Sequence, residues 1–330
     1  MNDRSPMAMA RARHALMQAG LDATVELEPA SSVTNEVWMT PTHVVRVNRR
    51  PNQRLRREAF LGPTLPPEIG YPEVVAYGGR LGADWLVVKR LPGRVLSRCW
   101  PDMSVGQRRE AIRQLAAKMK RLHQTPGPAE LPPIDAPQML RGDTLSPVMS
   151  LLVAIDQVRA LQHIDQMLMA EVEKAVYRLT SAIEPFANPY LVHSDLTFEN
   201  ILWDGERITA ILDFEWARTA PRDVDLDVFL RFCCYPELHV ADDYVARTRA
   251  EDYADVPWWL AEEYPELFNH TRQLDRLTLY AIAYDIRDLT MYPPAAPAHQ
   301  LNEHHAINRL RRTIDGRSHL DVLDSAVSVV

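Results

Sequence analysis

Leu191-Val192-His193-Ser194-Asp195-Leu196-Thr197-Phe198-Glu199-Asn200, followed thirteen residues after Asn200 by Asp213 in Ala210-Ile211-Leu212-Asp213-Phe214-Glu215, is the stretch on which the reading of this chain turns. Between Tyr190 and Asp213 the apolar alternation predicts a short strand, a polar loop, and a hairpin whose turn is Asp204-Gly205. Upstream, apolar residues recur at helical spacing from about Ser150 to Ile183 and break near Gln162-His163-Ile164-Asp165, which predicts two helices. Before them Ser104 and Gln107 form a capping box for a helix whose apolar face is Ile112, Leu115, Ala116, Met119 and Leu122. The proline-rich stretch 126–137 follows as a connector. Nearer the N-terminus the pattern is strand-rich: Thr24–Leu27, Glu36–Met39, His43–Val47, Pro72–Ala76 and Trp85–Val88, with a short helix at Arg57–Leu61 that stops at Gly62-Pro63. Downstream, helices are expected near 224–233, 257–264, 270–289 and 303–314. The fold class is therefore α+β. A small antiparallel sheet with one helix precedes a larger, mainly helical portion, and the seam lies at Val88-Lys89-Arg90-Leu91, where a ligand cleft is expected.

The 330 residues carry 46% hydrophobic and 25% charged side chains, a globular composition, with a net charge of −7. That balance gives no electrostatic footprint for nucleic acid or anionic lipid. No apolar run approaches the roughly 20 residues that cross a bilayer, and the arginines among the first thirteen residues interrupt any secretory core, so a short amphipathic helix is expected there. Cys99, Cys233 and Cys234 form neither a disulfide framework nor a zinc pattern, which suits a reducing cytosol.

The spacing in the opening stretch is the one phosphoryl transfer requires. One Asp must sit beside an acceptor hydroxyl, while an Asn and a second Asp converge on Mg²⁺ bridging nucleotide phosphates, as in a kinase catalytic loop and metal segment. His-x-Asp-x-x-x-x-Asn alone arises by chance in about one chain of this length in fifty at average residue usage; an apolar strand ending in Asp213 makes coincidence far rarer. A loop cap or half a metal site is the competing reading, but no other His or Cys stands at supporting spacing. From about Ser31 to Leu289, and most specifically over 190–227, the chain resembles the aminoglycoside phosphotransferase and choline kinase group. That resemblance implies a protein-kinase-like fold. It divides into a nucleotide-binding lobe (1–88), a hinge (89–93) and a helical lobe (94–330) holding the catalytic loop (190–215) and an acceptor region (about 235–290).

Carried over by position, the resemblance makes Asp195 the catalytic base, His193 the structural histidine of its loop, and Asn200 and Asp213 the Mg²⁺ ligands. Ser32-Val33-Thr34-Asn35-Glu36-Val37-Trp38 resembles the nucleotide-covering loop, with serine where the family has glycine, and makes Ser32 and Asn35 nucleotide contacts. Arg46 in Val44-Val45-Arg46-Val47 stands at the cation that holds the α and β phosphates, and Glu58 at the carboxylate that pairs with it. Arginine replaces the usual lysine there. Backbone groups of Lys89 and Leu91 would meet the base of ATP or GTP. Arg49, Arg50, Arg54, Arg56 and Arg57 read as a solvated basic face. Asp225 and Asp227 resemble the acidic segment that braces the catalytic loop, either one filling that part.

Nine acids against two arginines between Tyr235 and His270, with tryptophans among them, read either as a solvated acidic surface over core tryptophans or, since the resemblance places the acceptor pocket in this region, as the wall that takes a cationic acceptor. Asp252, Asp255, Trp258 and Glu262 are the candidate acceptor residues. An antibiotic-type phosphotransferase acting on an aminoglycoside or related amine is the first reading. A kinase for choline, homoserine, a sugar or another small alcohol is the second, and a non-catalytic nucleotide-binding module the third. A protein kinase is disfavoured because no Ala-Pro-Glu follows Asp213. The expected partners are a nucleotide and a small molecule, without nucleic acid or membrane, for a monomer or homodimer. The tail 316–330, apolar at Leu320, Val322, Leu323 and Val327, is expected to pack on the helical portion or to join a dimer.

Overall fold

The computed structural model describes residues 5–30, 35–128, 130–141, 145–186 and 190–323. Its first helix, α1 (Pro6–Gln18), is capped by Ser5, whose hydroxyl accepts the Ala8 N–H at 3.2 Å, and starts on a proline that needs no partner for its nitrogen. Strands β1 (Glu28–Ala30), β2 (Glu36–Met39) and β3 (His43–Val47) lead into α2 (Arg54–Leu61), and β4 (Val74–Gly78) and β5 (Trp85–Lys89) complete a five-stranded sheet in the order β1-β2-β3-β5-β4. Every pairing in it is antiparallel. Strand alternation sorts its side chains. Val45, Val47, Trp85 and Val87 pack on Ala8, Ala12, Ala15 and Leu16 of α1, whereas Val44, Leu86 and Val88 turn to Leu55 of α2. The sheet thus carries a helix on each face, the amphipathic N-terminal segment supplying the second.

The expected strand Thr24–Leu27 does not form; pairing begins at Glu28. Asp22 Oδ1 instead accepts from Thr24 N–H (2.8 Å) and hydroxyl (2.6 Å), making a turn, and Arg13 consumes the Ala23 and Val25 carbonyls. The fourth strand likewise starts two residues later than expected, past Pro72, which has no N–H to give a ladder.

Beyond the seam come β6 (Arg94–Val95), α3 (Leu96–Cys99), α4 (Val105–His123), α5 (Pro147–Arg159) and α6 (Gln166–Leu179). The Ser104–Gln107 capping box is present, and the apolar face of α4 is buried. Asp165 caps α6 through the N–H groups of Met167 and Leu168, which explains the break between the two helices. The short β7 (Tyr190–Val192) is followed by the hairpin β8 (Ile201–Trp203) and β9 (Ile208–Ile211), then β10 (Arg218–Ala220), which returns to pair with β7. Asp204 Oδ1 accepts from Glu206 and Arg207 at the hairpin turn, and Gly205 takes φ 111° there. Helices α7 (Asp223–Cys234), α8 (Val256–Glu263), α9 (Gln273–Met291) and α10 (Ala306–Ile314) finish the helical portion. Leu320 and Leu323 of the tail join its core, and Val327 lies outside the described residues. Among the described residues no helix is long and apolar enough to cross a membrane.

Candidate active site

The loop between β7 and β8 and the end of β9 meet face to face, and two non-glycine residues there adopt left-handed backbone: Ser194 (φ 65°) and Asp213 (φ 62°). Each such residue costs about 1–3 kcal/mol and persists only where its surroundings hold it. For Ser194 the holding group is Asp225 at the start of α7. Its carboxylate accepts the backbone N–H of Ser194 at 2.6 Å and of His193 at 2.9 Å, and the Nε2 of His123 at 3.0 Å. Burial pushes this carboxyl up, but the hydrogen bond and charge of His123 outweigh it and hold it below the usual range. Asp225 is therefore the brace; Asp227 instead accepts from His319 Nε2 at 2.9 Å.

His193 is fully buried. Its Nε2 donates to the Leu212 carbonyl at 2.8 Å and its Nδ1 accepts the Asp195 N–H at 3.2 Å, so the ring ties the loop after β7 to the end of β9. Burial lowers its pKa, as a neutral tautomer in this position requires. Asn200 Nδ2 donates to the Asp195 carbonyl at 2.8 Å, leaving its Oδ1 to turn elsewhere. Burial, then the charge of Asp213, pushes the Asp195 carboxyl up to about 7.

Arg46 and Glu58 form the expected pair through Nη1 of the guanidinium, and Nη2 reaches Asp213 at 2.9 Å and Glu215 at 3.2 Å. Glu58, Asp213 and Glu215 each place an oxygen within 4.8 Å of the others. All of these groups line one cavity of about 710 Å³ between the sheet and the β8–β9 hairpin. Val37, Met39 and Val44 close it on the sheet side, Leu202 and Leu212 on the hairpin side. Lys89 and Leu91 lie along its edge. The Lys89 N–H is committed to the Glu73 carbonyl at 3.0 Å, which narrows the expected base contacts to the Lys89 carbonyl and the Leu91 amide. At the far end stand Arg98, Glu199, His239 and Tyr244; Glu199 is paired with Arg98 at 3.1 Å, and Arg98 stacks 4.0 Å over the Tyr244 ring.

Several expected residues are elsewhere. Ser32 lies outside the described residues. Asn35 is buried and turned inward, its amide donating to Glu215 at 3.2 Å, so it braces that carboxylate and does not line the cavity. Asp252, Asp255, Trp258 and Glu262 are not in the cavity wall either. Helix α8 packs on α4, and there Asp252 pairs with Arg108 (3.3 Å) and Glu262 with Arg109 (2.6 Å), while Asp255 is exposed. Arginines on α4 thus pair with two of the three acids that the sequence assigned to an acceptor.

The basic face is solvated only at Arg50 and Arg56. Arg57 is buried and donates to the carbonyls of Glu215, Ala217 and Pro132, and Arg54 reaches Glu215 at 3.4 Å and stacks 4.2 Å from the Trp216 ring. Glu215 was the residue sequence reasoning missed. Its signal was an acid between Phe214 and Trp216 at the end of a buried strand, a place that demands cations nearby.

The sequence model of the phosphotransferase enzyme family matches residues 27–259. The chain belongs to that family. Among solved structures it resembles ADP-bound aminoglycoside phosphotransferase APH(2'')-Ib with a TM-score of 0.60 at 15% identity, covering 94% of this chain and 98% of that one. It also resembles a thermostable mutant of APH(4)-Ia in ternary complex with AMP-PNP and hygromycin B, with a TM-score of 0.60 at 16% identity and coverage of 96% and 99%. The GDP and kanamycin complex of APH(2'')-IIIa gives 0.59 at 14% identity, over 91% and 96%. At such identities the likeness is one of fold, the kinase-like arrangement of a small antiparallel sheet and a larger helical portion. No curated protein matches the sequence.

Proposed function

We propose that this family member transfers the γ-phosphoryl group of a magnesium-bound nucleotide, ATP or GTP, to a hydroxyl of a small amine-bearing acceptor, with Asp195 as the base. The observation that carries the reading is the convergence of Asp195, Asn200, Asp213 and Arg46 on one cavity. The donor set fits the metal. Glu58 and Glu215 are held by Arg46, Arg54 and Asn35, whereas the partly exposed Asp213 meets Arg46 through Oδ1 alone, so its Oδ2 and the Asn200 Oδ1 are the hard oxygen donors of the kind Mg²⁺ takes. A bound Mg²⁺ neutralises phosphate charge and fixes the transferring group.

The rest is the work of the chain. Arg46, anchored by Glu58 through Nη1 and by Asp213 and Glu215 through Nη2, brings a fixed positive charge to the part of the cavity where the phosphates would lie. Asp195, fixed by its own N–H on His193 and its carbonyl on Asn200, accepts the proton of the attacking hydroxyl, whose oxygen attacks the γ-phosphorus in line as the bond to the β–γ bridging oxygen breaks and the nucleoside diphosphate leaves. Positioning and electrostatics supply the acceleration, and no covalent enzyme intermediate is needed.

For the acceptor, Asp242 and Asp243 are exposed and lie in sequence between Ala241 and Tyr244, which line the cavity, and Asp243 acts electrostatically on Glu199 in its wall, so they are the carboxylates we assign to an amine, although not those expected. The competing small-alcohol reading draws on the Arg98–Glu199 pair, which neutralises the carboxylate at that end. Magnesium-dependent consumption of ATP and GTP, measured with aminoglycosides, other amine antibiotics, choline, homoserine and sugars, separates the two. Turnover with aminoglycosides or other amine antibiotics alone supports the first reading, and turnover with choline, homoserine or sugars alone overturns it in favour of the second.

A further inference from the structure

A guanidinium has two terminal nitrogens where an ammonium has one, and a single carboxylate anchors only one of them. In Arg46, Nη1 belongs to Glu58, and Nη2 is shared between Asp213 at 2.9 Å and Glu215 at 3.2 Å. Asp213 is also the carboxylate assigned to the metal, so it is a partner that Arg46 must share. Glu215 has no such second duty. It is buried and fixed from three elements, Oε2 accepting from Asn35 Nδ2 in β2's approach as well as from Arg46 in β3, and Oε1 from Arg54 in α2 at 3.4 Å.

We propose that Glu215 is the positioning residue for Arg46: it keeps the second guanidinium nitrogen at the phosphate end of the cavity whether or not Asp213 is engaged elsewhere, and so lets an arginine serve where the family has lysine. The inference rests on the phosphotransfer reading above. It makes Glu215 a partner of the cation and not of the metal, which separates it from Asp213 two residues earlier.

The test is calorimetric binding of ADP, with and without Mg²⁺, to the full chain, with thermal melting of each variant as the fold control. Glu215→Gln keeps the volume and an acceptor oxygen but removes the charge. It should weaken ADP about tenfold, the scale of one charged hydrogen bond, and should do so in both buffers. In the Arg46→Lys background, which lacks the second nitrogen, the same change should weaken ADP less than about twofold. Glu215→Asp, which keeps the charge but withdraws it by one methylene, should show the same dependence on background if the glutamine variant does not fold. An equal loss in both backgrounds, a loss confined to Mg²⁺ buffer, or no loss at all would overturn the proposal. Failure of the unsubstituted protein to bind ADP would instead overturn the phosphotransfer reading, and this inference with it.

Discussion

Asp225 Oδ1 accepts the backbone N–H of Ser194 at 2.6 Å, and this bond holds a residue whose φ of 65° would otherwise be costly. The same carboxylate holds His193, so one buried acid fixes both residues that precede the candidate base. Asp225→Asn puts an amide where two N–H groups and an imidazole need acceptors. It should lower stability by about 2–4 kcal/mol in urea unfolding and reduce turnover with it. Asp227→Asn, which touches His319 and not the loop, should lower stability while leaving turnover of the folded fraction nearly unchanged. Equal losses of turnover in the two variants would contradict the assignment of the brace.

Arg57 joins α2 to the segment after Asp213 by donating to the Glu215 and Ala217 carbonyls, with a further bond to Pro132. Arg57→Met keeps most of the stem and leaves those buried carbonyls without a donor. A loss of about 2–4 kcal/mol is expected, together with weaker ADP binding, because Glu58 rides on the same helix. An unfolding midpoint equal to that of the unsubstituted chain would show that α2 is held by its apolar contacts alone.

Much of this was legible in the sequence, and the reason is local. The loop Asp195–Asn200 and Asp213 announce themselves because their spacing is set by one turn and one hairpin, both short-range structures. The Arg46–Glu58 pair was legible only through the family resemblance, because the spacing of one strand and one helix does not by itself say which side chains meet. What escaped were contacts whose partners are far apart in sequence: Glu215 with Asn35, Arg57 with Pro132, Asp252 with Arg108. The acids of 237–266 have the composition of a cation site, but composition does not say which arginines lie across from them, and α4 supplies two. The choice between Asp225 and Asp227 was also closed to sequence, since the two differ only in which way a helix turn faces.

Burial holds the His319 imidazole below its ordinary value, with Arg231 adding to the effect and Asp227 opposing it. The unfolded chain takes up the proton near pH 6.5 while the folded one does not until lower pH. Stability contributed by this group is therefore present above about pH 6.5 and lost as pH falls through that window. His319→Gln removes the group, so the stability advantage of the unsubstituted chain over the variant should shrink from pH 8 to pH 5, by up to about 1.4 kcal/mol per pH unit. An advantage that is constant or grows on acidification would show that the imidazole is charged in the folded state.

Between the cavity-lining Ala241 and Tyr244, Asp242→Asn combined with Asp243→Asn should raise KM for an amine acceptor several-fold without changing KM for the nucleotide. Glu262→Gln, on the Arg109 side of α8, should change neither. An effect of Glu262→Gln as large as that of the double variant would return the acceptor wall to the 252–262 segment.

The central claim, that Asp195 takes the acceptor proton within a site that binds Mg²⁺-nucleotide independently of it, is tested most directly by Asp195→Ala. Turnover with an identified acceptor and ADP affinity by calorimetry should be measured on the same preparation. The account predicts that turnover falls by about 10²–10⁴-fold while ADP binds within about twofold of its original affinity. Full phosphoryl transfer by Asp195→Ala would contradict it.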